Sequence, residues 1–119
     1  MDINWLRALP KVELHIHLEG AIPHRALWTL IQKYGGDPDV ADFEQLVTKF
    51  RYKDFPGFIE TWIWKNRFLR TYEDFSFIAE QVALDLSSQN IRYAEMFMSP
   101  TDFKSQNLKT QPFNHLIIF

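Results

Sequence analysis

The 119-residue chain predicts an α/β fold with parallel strands. Two strand-like segments lie near its ends, at residues 11–18 and 91–98. Between them, apolar residues recur mostly at helical spacing and are interrupted by Gly, Pro and N-cap residues. The order strand, helices, strand is typical of an α/β protein with a parallel sheet. We see no repeat, linker or low-complexity tract, which predicts one domain.

The first strand carries the most informative pattern, Lys-Val-Glu-Leu-His-Ile-His-Leu at residues 11–18. Because side chains alternate along a strand, His15 and His17 share one face, and an aliphatic row occupies the other. A rise of roughly 3.3 Å per residue puts the two imidazoles about 6–7 Å apart, close enough to share one metal ion. The alternative is a strand with two polar residues on a solvated face. Gly20 allows a sharp exit, and Pro23 can begin a helix.

The chain between the strands predicts four helices, at residues 23–34, 42–50, 56–69 and 71–88. Gly35 and Gly36 end the first helix. Asp42 can cap the second. Thr71 and Asp74 form an imperfect capping box for the fourth.

Composition excludes several classes of function. The content of 46% hydrophobic and 16% aromatic residues suits a folded core. A net charge of −2 gives no electrostatic case for nucleic acid or an acidic membrane surface. There is no cysteine, no signal-peptide pattern and no run of the ~20 apolar residues that a membrane span needs. We expect a cytoplasmic protein with neither nucleic-acid nor membrane partners, and its oligomeric state stays open.

Residues 10–22 resemble the first-strand signature of the adenosine deaminase family, within the amidohydrolase superfamily. The segments 55–59 and 92–100 are similar to two further segments of that family, in the same order. The resemblance implies a (β/α)8 TIM barrel with extra helices between strands 1 and 2. Such a barrel takes about 250 residues. We therefore expect residues 1–119 to be the N-terminal fragment of a single metal-dependent deaminase domain.

The resemblance implies that His15 and His17 bind a divalent metal, Zn²⁺ or another. In the family, metal binding lowers the pKa of a water from about 16 towards 7, which supports hydrolysis at neutral pH. The implied reaction removes the 6-amino group of adenosine, adenine or a related nucleoside and releases ammonia. The expected partner is thus a small-molecule purine or purine nucleoside. The family's acid and base groups and remaining ligands come from later strands, so we expect no catalytic residue in this chain and no activity of the chain alone.

Two substrate-binding residues follow the histidines. Glu19 stands where family members carry an acid, usually Asp, that binds the ribose 5′-hydroxyl. The alternative for Glu19 is a solvated loop carboxylate. Gly20 matches a glycine whose backbone lies near the purine. In the second strand, many members have arginine where this chain has Phe97, which leaves Glu95 without its expected partner.

The segment 55–59 resembles the family's apolar lid over the substrate. Its helical stripe contains Phe55, Phe58, Ile59 and Trp62, at spacings of three, four and seven residues. We assign Phe58 and Trp62 to substrate binding by the lid, which excludes water, and Phe55 and Ile59 to core packing.

Two alternatives to a purine deaminase remain open. Other amidohydrolases also carry His-x-His on their first strand and hydrolyse amide or ester bonds. A non-catalytic truncated product would expose core surface and aggregate. After Pro112 the resemblance fades, and the apolar residues 116–119 would have no neighbours to bury them, which predicts a premature end.

Overall fold

The computed structural model describes residues 2–99 and 117–118. These residues form five helices, three strands and one 3₁₀ turn. In chain order they are α1 (Ile3–Ala8), β1 (Lys11–His17), the 3₁₀ turn (Leu18–Gly20), α2 (His24–Lys33), α3 (Phe43–Lys49), α4 (Phe55–Asn66), α5 (Tyr72–Ser88), β2 (Ile91–Phe97) and β3 (Ile117–Ile118). None of the helices in this part of the chain has both the length and the apolar character needed to span a membrane.

The sheet has the order β1–β2–β3. β1 and β2 are parallel, as the sequence predicted. β3 pairs antiparallel with β2, through Ile117 with Met96 and Ile118 with Glu95. The sequence predicted two strands, and β3 is a third that it did not predict, formed where the free edge of β2 offers backbone groups to an extended segment. Pro112 and the other tail residues lie outside the described residues.

The helix ends follow local capping signals. Gly35 and Gly36 adopt φ of +89° and +88° after α2, in the left-handed region that favours glycine. The Asp42 side chain accepts from Gln45 N at 2.8 Å and caps α3. The capping box of α5 is complete, because Thr71 and Asp74 bond each other's backbone N–H groups.

Two helix boundaries differ from the prediction. α4 begins at Phe55, where Asp54 accepts from Gly57 N at 2.9 Å, and ends at Asn66 rather than near residue 69. α1 was not predicted at all. It is a short helix capped by Asp2, and its residues are exposed, so no buried apolar stripe marks it in the sequence.

The main hydrophobic core packs α2 and α5 against β2. Its fully buried members include Leu27 and Ile31 of α2, Ile78 of α5 and Met96 of β2. β1 lies at the edge of the sheet, and its aliphatic row is covered only at the C-terminal end. Val12 and Leu14 are each 59% exposed. Ile16 is half-buried and Leu18 is buried, so the aliphatic row is covered only where β1 leads into the 3₁₀ turn.

Candidate active site

His15 and His17 lie at the C-terminal end of β1 with their ring nitrogens close together. Their Nε2 atoms are 3.3 Å apart, and their ring centroids are 5.2 Å apart. Two Zn–N bonds of about 2.0–2.1 Å at a tetrahedral angle would separate their nitrogens by about 3.3–3.4 Å. The rings thus converge more closely than the strand rise alone predicted, and their separation fits two ligands of one metal ion.

The pairing of β1 with β2 is irregular at the first of these histidines. Glu13 pairs with Ala94, and Ile16 pairs with Met96. Leu14 and His15 together therefore stand opposite one residue of β2. An extra residue of this kind bends a strand and re-aims its side chains, and such irregularities are frequent next to active sites.

The described residues supply two candidate metal ligands. Within residues 2–99 and 117–118, no group of three His, Cys, Asp or Glu side chains is arranged to hold a metal ion. A catalytic zinc site takes about three protein ligands. The histidine pair by itself therefore does not complete such a site.

Aromatic side chains surround the histidine pair on two sides. The Phe97 ring lies 4.7 Å from that of His15 and 6.3 Å from that of His17. On the other side, the Trp62 ring meets His17 edge-on at 6.3 Å. An open cleft of ≈ 310 Å³ lies beside His17 and is lined by His17, Phe58, Ile59, Trp62 and Ser99. The structure thus brings the predicted lid residues Phe58 and Trp62 next to the predicted metal ligands.

Gly20 lies directly beneath the Trp62 ring. A Cβ at this position would be 3.1 Å from Cζ3 of Trp62, tighter than ordinary van der Waals contact. The buried Lys65 places its Nζ 3.8 Å from the centroid of the same ring, a cation–π contact. Glycine is therefore the residue that lets the turn after β1 approach α4 this closely.

The core assignment within the α4 stripe is wrong for Phe55. This side chain is 71% exposed, because it lies in the first turn of α4 and contacts Phe58 rather than the core. Ile59 is half-buried and lines the cleft.

Glu19 is fully buried, with 0% exposure, so the reading of a solvated loop carboxylate is wrong. Its Oε1 accepts from the Ser99 backbone N–H at 2.7 Å. Its Oε2 is also buried and has no hydrogen-bond donor among the described residues. One oxygen is thus bound within the fold, and the other is left for a donor from elsewhere.

Glu95 has a partner, contrary to expectation. The Tyr93 hydroxyl donates to Glu95 Oε1 at 2.7 Å, and this hydrogen bond raises the pKa of Tyr93. Tyr93 lies two residues away on the same strand face, so it supplies the partner that the sequence did not predict for Glu95.

Sequence reasoning missed two participants in this region. Ser99 contributes a backbone N–H, which no residue pattern identifies. Lys65 follows Trp62 by three residues on α4, a spacing that places two side chains on one helix face. The cation–π contact could therefore have been predicted from the sequence.

Comparison with known proteins identifies the family. The sequence model of the family described as adenosine deaminase matches residues 10–118. The chain belongs to the adenosine deaminase family. An aminodeoxyfutalosine deaminase of Streptomyces coelicolor is 33% identical over 96 residues, which is 81% of this chain. An adenine deaminase of Bordetella avium is 33% identical over 97 residues, 82% of this chain.

A solved adenine deaminase from Arthrobacter aurescens shares the fold with a TM-score of 0.74, 26% identity and 83% coverage of this chain. The α/β arrangement is the N-terminal part of that TIM barrel, as the resemblance implied. The chain spans 25% and 31% of the two curated family members and 30% of the solved one.

Proposed function

We propose that the enzyme containing these residues hydrolytically deaminates a 6-aminopurine with the help of a divalent metal and releases ammonia. Adenine, adenosine and a nucleoside such as aminodeoxyfutalosine are the candidate substrates, in line with the names of the matching family members. The observation that carries the proposal is the 3.3 Å separation of the His15 and His17 Nε2 atoms at the C-terminal end of β1. In parallel α/β barrels this is the end of the strands at which active sites lie.

The histidine pair would contribute two ligands to the metal. Zn²⁺ is the first candidate, because neutral imidazole nitrogens at this separation suit its tetrahedral geometry. A metal held there supplies a water that is acidic enough to serve as nucleophile near neutral pH. Phe97 packs 4.7 Å from the His15 ring, and Trp62 meets the His17 ring edge-on at 6.3 Å.

The other site residues would bind and enclose the purine. Phe58 and Trp62 present aromatic surface to the cleft beside His17, and closing that surface over a substrate would exclude water. Gly20 lets the backbone approach closely from below. The free Oε2 of Glu19 can accept a hydrogen bond from an N–H or O–H of the substrate.

We further propose that residues 1–119 act as one part of a single larger deaminase domain and have no activity alone. The proposal rests on the absence, among the described residues, of a third side chain to complete the histidine pair, where catalytic zinc takes about three protein ligands. It also agrees with the share of the family members' length that the chain spans. Further ligands and the proton donor would come from other segments of the enzyme.

The test is an ammonia-release assay of the complete gene product with adenine, adenosine and aminodeoxyfutalosine. We expect one of them to be deaminated, and we expect His17→Asn to lower kcat/KM by more than about a hundredfold, beyond the loss typical of groups outside the ligand set. The matched control is His24→Asn. His24 packs against Phe50 at a ring distance of 4.7 Å, and His24→Asn should leave kcat/KM nearly unchanged.

Two results would contradict the proposal. Hydrolysis of amides or esters without release of ammonia from any purine would assign the complete enzyme to another amidohydrolase reaction. Full deaminase activity of His17→Asn would remove the histidine pair from the reaction. Ammonia release by the 119-residue polypeptide alone would contradict only the proposal that it is one part of the active unit.

A further inference from the structure

We infer that Glu19 is a positioning residue, whose Oε1 clamps the end of β2 to the turn after β1. The clamp fixes Phe97 and Ser99, which form one wall of the site, relative to the histidine pair. The inference rests on the proposed function, because the clamp has a role in the site only if the histidine pair binds the metal. It differs from the substrate contact proposed for Glu19, because it concerns the other carboxylate oxygen.

The clamp continues the register of the two strands beyond their ends. Ile16 pairs with Met96 and His17 with Phe97, an offset of 80 residues. The hydrogen bond from Ser99 N to Glu19 Oε1 joins residues at the same offset of 80. The register is irregular just before Ile16. After that irregularity only two residue pairs hold the offset of 80 before the clamp extends it.

A side chain accepts the Ser99 hydrogen bond because the backbone has left the strand conformation at the end of β1. After His17 the chain enters the 3₁₀ turn, and Ala21 N–H donates to the carbonyl oxygens of His17 and Leu18 at 3.0 and 3.2 Å. These carbonyls are engaged within the turn. The Ser99 N–H of the neighbouring strand end receives the Glu19 carboxylate as its acceptor instead.

The clamped strand end forms the wall of the histidine site. Phe97 stands opposite His17 in the register and packs 4.7 Å from the His15 ring. Ser99, the clamped residue itself, lines the same cleft as His17. Displacing the end of β2 would therefore move the surface against which both imidazoles rest.

The stability of the fold does not by itself explain why a carboxylate occupies position 19. A buried carboxylate is favourable only when several donors compensate its desolvation. Among the described residues, Glu19 has one donor. The geometric role explains why an acceptor with this reach occupies the position.

Two variants separate the acceptor from the charge. Glu19→Gln keeps an oxygen that can accept from Ser99 N–H and removes the charge. Glu19→Met keeps a similar length and removes the acceptor. Glu13→Met, an exposed position on β1, is the matched control. Hydrogen exchange of the Ser99 amide reports the clamp, and Zn²⁺ titration followed by NMR of the His15 and His17 ring protons reports the site.

In the complete wild-type gene product we expect the Ser99 amide to exchange slowly, as a hydrogen-bonded group does, and all variants are compared in that complete protein. Glu19→Met should speed its exchange at least about tenfold and weaken Zn²⁺ binding by about tenfold, as loss of an orienting group does. Glu19→Gln and Glu13→Met should keep both properties within about threefold of wild type.

The inference is overturned if the wild-type Ser99 amide exchanges as fast as an unstructured one, a result that requires no variant to fold. It is also overturned if Glu19→Gln loses as much Zn²⁺ affinity as Glu19→Met, because the charge would then be the cause. If the complete wild-type enzyme binds no Zn²⁺, the proposed metal site fails, and Ser99 exchange alone decides whether the clamp exists.

Discussion

Glu19 and Asp74 are the two fully buried carboxylates of the described residues, and their surroundings differ sharply. Asp74 accepts from four donors: Lys33 Nζ at 2.6 Å, the Tyr34 hydroxyl, Arg70 N at 2.8 Å and Thr71 N at 3.0 Å. Glu19 accepts from one donor, Ser99 N, at 2.7 Å. The four donors compensate the desolvation of the Asp74 carboxylate. Oε2 of Glu19 has no donor among the described residues.

The difference separates a structural group from a candidate site group. Asp74 joins the end of α2 to the start of α5, and every one of its contacts stabilises that junction. Glu19 lies within two residues of His17, beside the cleft. Buried polar groups left unsatisfied are uncommon, and each calls for an explanation such as a catalytic role, a bound water or an ion. Counting donors thus distinguishes two carboxylates that have the same exposure.

The largest effect is expected from Asp74→Asn. The amide places N–H groups against donors and loses charge-assisted hydrogen bonds, so the free energy of unfolding should fall by about 2–4 kcal/mol. Urea denaturation at pH 7 measures it. The control is Asp85→Asn, because Asp85 is an exposed carboxylate on the same helix. This variant should change the free energy of unfolding by less than about 0.5 kcal/mol. Equal losses for the two variants would remove the special role of Asp74.

The hydrogen bonds of Asp74 predict that the free energy of unfolding depends on pH in the acid range. Burial opposes ionisation of Asp74, but the hydrogen bonds from Lys33, Tyr34 and the backbone outweigh it and lower the pKa of the carboxyl. The unfolded state, with a pKa of about 3.9, therefore takes up the proton first as pH falls. The stability difference between wild type and Asp74→Asn should be full above about pH 5 and shrink below pH 4. A constant difference down to pH 2 would contradict this.

Glu19→Gln should lower the free energy of unfolding by less than Asp74→Asn does. The amide oxygen can keep the Ser99 bond, and removal of a charge with one donor relieves desolvation. We expect a change of no more than about 1 kcal/mol in the free energy of unfolding, measured in the same urea series. A loss as large as that of Asp74→Asn would show that Glu19 has donors beyond Ser99, and the contrast between the two sites would fail.

The smallest energetic effect is expected from Gly20→Ala. Its Cβ would push Trp62 by a few tenths of an ångström, at a cost of about 1 kcal/mol, and reduced freedom of the unfolded chain offsets about half of that. The Trp62 indole N–H resonance should nevertheless shift. Gly36→Ala is the control, with φ of +88° and no atom within 4 Å. It should destabilise the chain without moving that resonance, and an unmoved resonance in Gly20→Ala would contradict the contact.

The sequence predicted features that depend on neighbours within one turn. The Asp42 and Thr71 caps and the Gly35 helix end follow from side chains and backbone groups three or four residues apart. The alternation of β1 placed His15 and His17 on one face by the same local logic. The family resemblance supplied the barrel, which no local pattern in this chain could indicate.

Only the tertiary structure decided contacts between distant residues. Glu19 meets Ser99 across 80 positions, and Lys33 meets Asp74 across 41. The exposure of Phe55 and the antiparallel pairing of Ile117 depend likewise on where helices and strand edges come to lie. Local patterns determine an element because its hydrogen bonds are made within it. They leave open which donors reach a buried carboxylate, because those donors are set by the packing of elements against one another.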